Sequence, residues 1–163
     1  MEDMRINRTH GSDEDFISLV KMLDHELWDE LNEDQATYDP HNKVQDVKTA
    51  LVLYVNNEPV ACGCLREFSH GTTEIKRMFV RKDSRRKGLS KKILNELELW
   101  AKELGYQETI LETSIHFNVA VSLYQSAGYS VIPNYGPYQG LKESICMKKV
   151  LKAGLPPAPP KEG

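Results

Sequence analysis

The stretch Glu74-Ile75-Lys76-Arg77-Met78-Phe79-Val80-Arg81-Lys82-Asp83-Ser84-Arg85-Arg86-Lys87-Gly88-Leu89-Ser90-Lys91 decides the fold. Its first half closes an apolar, β-rich run from Thr72 to Val80. Its second half opens an amphipathic helix from Lys87 to Leu104, with Leu89, Ile93, Leu97, Trp100 and Leu104 on one stripe. The first turn of a helix leaves backbone N–H groups unpaired and carries partial positive charge, so a strand feeding a helix this way favours an anion at the joint. Gly88 lets a phosphate approach the backbone, and Ser90 is small for the same reason. Arg85, Arg86, Lys87 and Lys91 concentrate positive charge where helix stability alone would place acidic residues. The joint is built for a diphosphate. It is neither G-x-x-x-x-G-K-[ST] nor G-x-G-x-x-G.

Working outward, Met4 to Arg8 reads as a first strand. Ser12 to Asp15 starts an amphipathic helix that reaches Leu31, with Phe16, Val20, Leu23, Leu27 and Leu31 at three-to-four spacing. Asn32 to Lys43 is polar and reads as a loop or a short second helix. The runs Ala50 to Val55, Pro59 to Phe68 and Thr72 to Val80 are separated by Asn56-Asn57-Glu58 and Ser69-His70-Gly71, the pattern of an antiparallel meander. Beyond the Lys87 helix come a strand from Gln107 to Thr113 and a helix from Asn118 to Ala127. Two last strands follow, Tyr129 to Pro133 and Glu143 to Leu151. The order predicts an α+β, three-layer fold with a mixed, mostly antiparallel central sheet and flanking helices. A single domain is expected over 1–152, and the Pro-rich tail, 153–163, is expected to be disordered.

Composition narrows the function. The chain of 163 residues carries a net charge of -3, which argues against a broad nucleic-acid surface. The segment from Arg81 to Lys92 also lacks the interleaved aromatics that stack bases. No apolar run approaches the ~18 residues of a membrane span. Cys62, Cys64 and Cys146 form no disulfide framework, and no Cys or His spacing forms a metal site. Buried reduced thiols in a cytoplasmic protein are the expectation.

Arg85-Arg86-Lys87-Gly88-Leu89-Ser90 resembles the R/Q-x-x-G-x-G/A signature of the GNAT family of N-acetyltransferases, with Ser90 in place of the usual glycine or alanine. Leu123-Tyr124-Gln125-Ser126-Ala127-Gly128-Tyr129 is similar to that family's L-Y-x-x-x-G-F/Y element. The family's frequent asparagine falls on Phe117, and Asn118 stands one place later. The resemblance spans Met4 to Leu151 and implies an enzyme moving acetyl from acetyl-CoA to an amine, with no metal. It implies that the backbone of Met78, Phe79 and Val80 pairs with the pantetheine arm like an added strand. A backbone N–H near Met78 or Phe79 would stabilise an oxyanion. Arg85, Arg86, Lys87, Gly88, Leu89, Ser90 and Lys91 would hold the diphosphate, with Asn118 as a further cofactor contact.

Acetyl transfer to an amine needs a base and an acid. Glu74 is the candidate base: even spacing on the strand puts Glu74, Lys76, Met78 and Val80 on one face. Glu112, on the next strand, is the alternative. Tyr124 is the candidate acid for the departing thiolate. Trp28 and Tyr38, in the first helix and the loop after it, are expected to line the acceptor site with Lys76, Arg77 and Tyr138; aromatic and acidic groups suit a small-molecule amine. A protein or peptide acceptor and a non-catalytic acetyl-CoA sensor are the rivals. A homodimer through the last strands fits the same reading.

Overall fold

The computed structural model of the chain describes residues 2–31 and 46–151, and for residues 28–31 the backbone only. Within it, strand β1 (Met4–Thr9) leads to helix α1 (Glu14–Leu31), and β2 (Thr49–Val55), β3 (Glu58–Ser69) and β4 (Thr72–Val80) form the expected meander. Helix α2 (Leu89–Glu103), β5 (Glu108–Ser114), α3 (Asn118–Ser126), β6 (Ser130–Ile132) and β7 (Ser144–Val150) complete the chain. The strands make one sheet in the order β1-β2-β3-β4-β5-β7-β6, antiparallel throughout except between β4 and β5.

Local chemistry explains the helix boundaries. Asp13 caps α1: its side chain accepts from the N–H groups of Asp15 and Phe16 at 2.9 and 3.0 Å. Helix α2 ends as Gly105 turns to φ +91°, and α3 as Gly128 turns to φ +102°, left-handed positions that only glycine takes without cost. The buried stripe of α2 is Leu89, Ile93, Leu94, Leu97 and Ala101. Trp100, expected on that stripe, is half-buried and packs against the same core, whereas Leu104, also expected there, is exposed. Leu104 is exposed because the helix has ended there, at its C-cap, while Trp100 sits at the edge of the stripe with the Arg8 guanidinium 4.8 Å over its ring.

Two cores fill the layers. On one face of the sheet, α1 packs Phe16, Leu19 and Val20 against Val52, Cys62, Cys64 and Phe79. On the other, α2 and Tyr124 of α3 pack with Leu53, Ile75, Val80, Leu111 and Met147. The three cysteines are free and buried. Burial carries the Cys64 thiol up to about 12, which keeps it protonated and inert.

One irregularity re-aims β4. Cys62 pairs with Phe79 and Cys64 with Lys76, so Gly63 alone opposes both Arg77 and Met78. This is a β-bulge, and Arg77 sits in it at φ +59°, a conformation that costs a non-glycine residue about 1 kcal/mol. The bulge overturns the expectation of one face for Glu74, Lys76, Met78 and Val80. Glu74 and Lys76, opposite Arg66 and Cys64, lie on the α1 face; Met78 and Val80 have crossed to the α2 face. A β-carbon at Gly63 would stand 2.9 Å from Met78 Sδ and 2.9 Å from Ile93 Cγ2, so glycine is what lets the shifted strand sit down on α2.

Candidate active site

The site begins where two strands part. β4 pairs with β5 only from Thr72 to Glu74, against Glu108 to Ile110; beyond that Ile75–Val80 and Leu111–Ser114 diverge. The gap opens a cleft of about 1130 Å³ whose walls come from α1, β4, the Arg85–Lys91 turn, β5, α3 and the loop before β7. Because a gap in a sheet joins its two faces, groups from the α1 side and the α3 side meet there.

The β4 wall offers backbone. The Arg81 N–H donates to Val60 O at 2.9 Å, so by strand alternation Phe79 faces β3 while the Met78 C=O, the Val80 N–H and the Val80 C=O face the gap. Phe79 thus supplies its ring to the α1 core rather than a backbone edge to a ligand. The Val80 carbonyl accepts from Arg85 Nε at 2.8 Å. Arg85 also pairs with Glu26 of α1 at 2.7 Å, so this arginine, expected on a diphosphate, ties α1 to the turn.

The turn itself offers amides. A short 3-10 turn, Lys82–Ser84, precedes it, and Arg86 (φ +66°) and Gly88 (φ +76°) both adopt left-handed backbone. The first helical bond of α2 is Lys92 N–H to Gly88 O at 3.2 Å. Among the described residues, no oxygen accepts from the N–H groups of Arg86, Lys87, Gly88, Leu89, Ser90 or Lys91. Arg86, Lys87 and Lys91 are exposed at its rim. Nothing lies within 4 Å of where a Gly88 β-carbon would stand, so the cradle is open. A run of free amides beside a helix N-terminus suits the diphosphate of a coenzyme A ester, and the free β4 edge suits its amide-bearing arm. Asn118, exposed at the first position of α3, lines the same cleft.

The acid and base candidates reach the gap from opposite faces. Tyr124 is buried in the α2–α3 core, its ring edge-on to Tyr129 at 5.8 Å between centroids. Among the described residues its hydroxyl makes no hydrogen bond. Burial, reinforced by the charge of Glu112, raises its phenol far above the ordinary value, so it keeps its proton. On the α1 face Glu74 is buried and accepts from the Tyr135 hydroxyl at 2.7 Å, with Lys76 Nζ at 4.0 Å. Lys76 donates to the Tyr138 hydroxyl at 2.9 Å, and burial lowers its ammonium below 10.5. Glu112 accepts from the Ser144 hydroxyl at 2.7 Å, and burial raises its carboxyl above 4.5.

Arg77, expected to hold an acceptor, is turned to α1 instead. Its guanidinium is buried and paired with Asp24, because the bulge directs it against that helix. The side chain of Trp28 and the whole of Tyr38 lie outside the described residues. The tyrosine- and glycine-rich run Tyr135 to Gly140 points to a loop facing the acceptor side, and Glu26 to its helical wall, but nothing local marks Ser144 or Asn134, or Glu26 as a partner for Arg85. Among the described residues no cluster of His, Cys, Asp or Glu could hold a metal ion, and no helix is long and apolar enough to cross a membrane.

Known proteins share this design. The family model described as Acetyltransferase (GNAT) family matches residues 16–129. A solved protein of Klebsiella pneumoniae described as an acyl-CoA N-acyltransferase is 30% identical, covers 91% of this chain and 97% of its own, and superposes with a TM-score of 0.75. The PaiA N-acetyltransferase of Thermoplasma acidophilum, solved with coenzyme A, shares the fold at a TM-score of 0.71 and 16% identity, over 91% of this chain and 99% of its own. An IAA acetyltransferase of Azospirillum brasilense is 29% identical over 102 residues, 62% of this chain and 67% of that protein. With its sheet order, parted strands and open amide turn, this chain belongs to the acetyltransferase (GNAT) family, the acetyl-CoA-dependent N-acetyltransferases.

Proposed function

We propose that the chain acetylates the primary amine of a small metabolite by direct attack within a ternary complex, with Glu74 as base and Tyr124 as acid. The observation that carries this reading is the gap between β4 and β5. It places a buried carboxylate from one face of the sheet and a protonated, unengaged phenol from the other along one cleft. Acetyl-CoA supplies the activated acyl group.

The N–H groups of Arg86 to Lys91 hold the diphosphate, and the Met78 C=O and Val80 N–H pair with the pantetheine arm. Arg86, Lys87 and Lys91 add charge at the rim. Glu74 takes the proton of the attacking amine as the C–N bond forms. Tyr124 gives its phenolic proton to the sulfur as the C–S bond breaks. Each proton has a donor and an acceptor, so charge does not accumulate in a largely apolar cleft. Lys76 and Tyr138 flank the base and shape the acceptor side.

The size of the acceptor follows from enclosure. Glu74 and Lys76 expose about a tenth of their side chains, 10% and 9%, so a compact amine reaches them more readily than a folded surface. Thermal shift and calorimetry with acetyl-CoA test the binding half. A panel of tyramine, cadaverine, free lysine and a lysine-containing peptide, scored by thiol release, tests the rest. Turnover of the peptide above all the small amines would overturn the metabolite reading. Tight acetyl-CoA binding with no thiol release would favour a sensor.

A further inference from the structure

The loop between β6 and β7 has a chemistry of its own. With the first residue of β7, it brings one hydroxyl to each of three charged groups: Tyr135 to Glu74 at 2.7 Å, Tyr138 to Lys76 at 2.9 Å and Ser144 to Glu112 at 2.7 Å. Those charged groups stand on β4 and β5, on opposite sides of the gap. The loop and the start of β7 therefore span the cleft and give a hydroxyl partner to each of Glu74, Lys76 and Glu112.

Something must hold the loop in register, and the described contacts point to a single amide. The two N–H bonds of Asn134 Nδ2 serve the carbonyls of Tyr138, Leu141 and Ser144 at 3.2, 3.0 and 3.2 Å, one N–H being shared between two of them. Three carbonyl acceptors fix which way the amide faces, since its oxygen has nothing to donate. Two of those carbonyls belong to the residues that deliver hydroxyls. The short turn Gly136–Tyr138 and the bonds Tyr138 N–H to Tyr135 O and Leu141 N–H to Tyr138 O close the rest of the loop around that amide. Tyr135 is braced edge-on by Phe68 and Tyr138, with centroids 5.1 and 5.5 Å away.

We propose that Asn134 is a positioning residue for proton transfer, acting on Glu74, Lys76 and Glu112 through the backbone that carries three hydroxyls. Its amide binds the carbonyls of Tyr138 and Ser144 directly, and Tyr135 follows through the Tyr138 N–H to Tyr135 O bond. It touches neither the strand edge nor the amide turn that hold the cofactor, so its removal spares acetyl-CoA binding. The inference rests on the acetyl-transfer reading above for its consequence, though not for the clamp itself.

Asn134→Asp keeps the shape and loses the N–H donors; Asn134→Leu removes the polarity as well. In both, kcat for thiol release with the best small amine of the panel falls about tenfold or more, as expected for misplaced proton-transfer groups. The Kd for acetyl-CoA by calorimetry changes less than about twofold, within the scatter expected of a residue remote from the ligand. Adding Tyr135→Phe to Asn134→Asp costs little beyond Asn134→Asp alone, because a loop let go by Asn134 has already lost the Tyr135 hydroxyl from Glu74. Amide hydrogen exchange at Tyr138, Leu141 and Ser144 speeds up in both variants while α2 stays protected. An unchanged kcat, or losses that simply add, overturns the proposal. If the natural chain releases no thiol with any amine, the functional reading fails, and exchange alone judges the clamp. Protection at those three amides unaltered by Asn134→Asp then overturns it.

Discussion

The two halves of the cleft are made of different material. On the acetyl-transfer reading proposed above, the cofactor half is backbone: the open edge of β4 and the N–H groups of Arg86 to Lys91, which follow one another along the chain. The acceptor half is side chain, with Glu74, Glu112, Asn134, Tyr135, Tyr138 and Ser144 gathered from β4, β5 and a loop. A ligand common to many acetyl-transfer reactions can be read by main-chain groups, because any sequence of the right conformation presents them. A particular acceptor needs side chains, and these can change without disturbing the frame. On that reading, the contrast teaches that substrate choice and cofactor binding should be mechanically separable.

That separation can be broken or sharpened by substitution. The largest effects should fall on turnover alone. Tyr124→Phe and Glu74→Gln should each lower kcat about 100-fold while leaving the acetyl-CoA Kd nearly unchanged. Glu112→Gln measured beside them decides between the two carboxylates: a loss equal to that of Glu74→Gln with a flattened acid limb would move the base to β5.

Next comes the joint between the halves, the bulge. Gly63→Ala places a β-carbon 2.9 Å from Met78 Sδ and 3.0 Å from Leu97 Cδ1, so β4 or α2 must shift. Overpacking of this kind should cost about 2 kcal/mol, about 6 °C in Tm for a chain of this length. It should also disturb both halves together. Loss of only one would mean that the strand tolerates the bulge better than its geometry implies.

A smaller effect, confined to the cofactor half, is expected from Gly88→Val. A β-branched residue at φ +76° is strained by about 1–2 kcal/mol, so the turn should leave its present shape. The Kd for acetyl-CoA should rise about tenfold, with kcat at saturation preserved. A fall in kcat instead would show the turn to be coupled to the acceptor side.

The smallest effect is in stability against pH. Burial holds the Glu112 carboxyl above its ordinary 4.5, so between that value and the raised one the folded chain binds more protons than the unfolded chain. Stability therefore falls as pH rises through this window and then levels off. Glu112→Gln has no charge to bury, so its Tm advantage over the natural chain should grow from pH 4.5 upward and then stay constant. Parallel Tm curves would show that Lys76 and Ser144 already compensate the carboxylate.

Legibility in the sequence follows the same division. The strands, the three helices of the described residues and the strand-to-helix turn were readable because each rests on local signals: alternation, three-to-four spacing, Asp13 as a cap, glycines at Gly88, Gly105 and Gly128. The place of Tyr124 on the inner side of α3 was readable through its neighbours in the chain. The faces of β4 were not, because a period-two count assumes a regular ladder, and the bulge at Arg77 inserts one residue into it. Arg77 and Arg85 looked like ligand-binding cations; Asp24 and Glu26, more than fifty residues earlier, claim both, at separations of 53 and 59 positions.

The sequence by itself determined which elements form, their order, and that a positively charged helix start would be left with free amides, since all of these depend on residues close together in the chain. Only the tertiary structure decided that β4 and β5 part after three paired positions, that Glu74 and Tyr124 share a cleft from opposite faces, and that the Asn134 amide meets the carbonyls of Tyr138, Leu141 and Ser144. Those outcomes depend on register and packing between distant segments, where one inserted residue reverses a face and no local pattern records the partner.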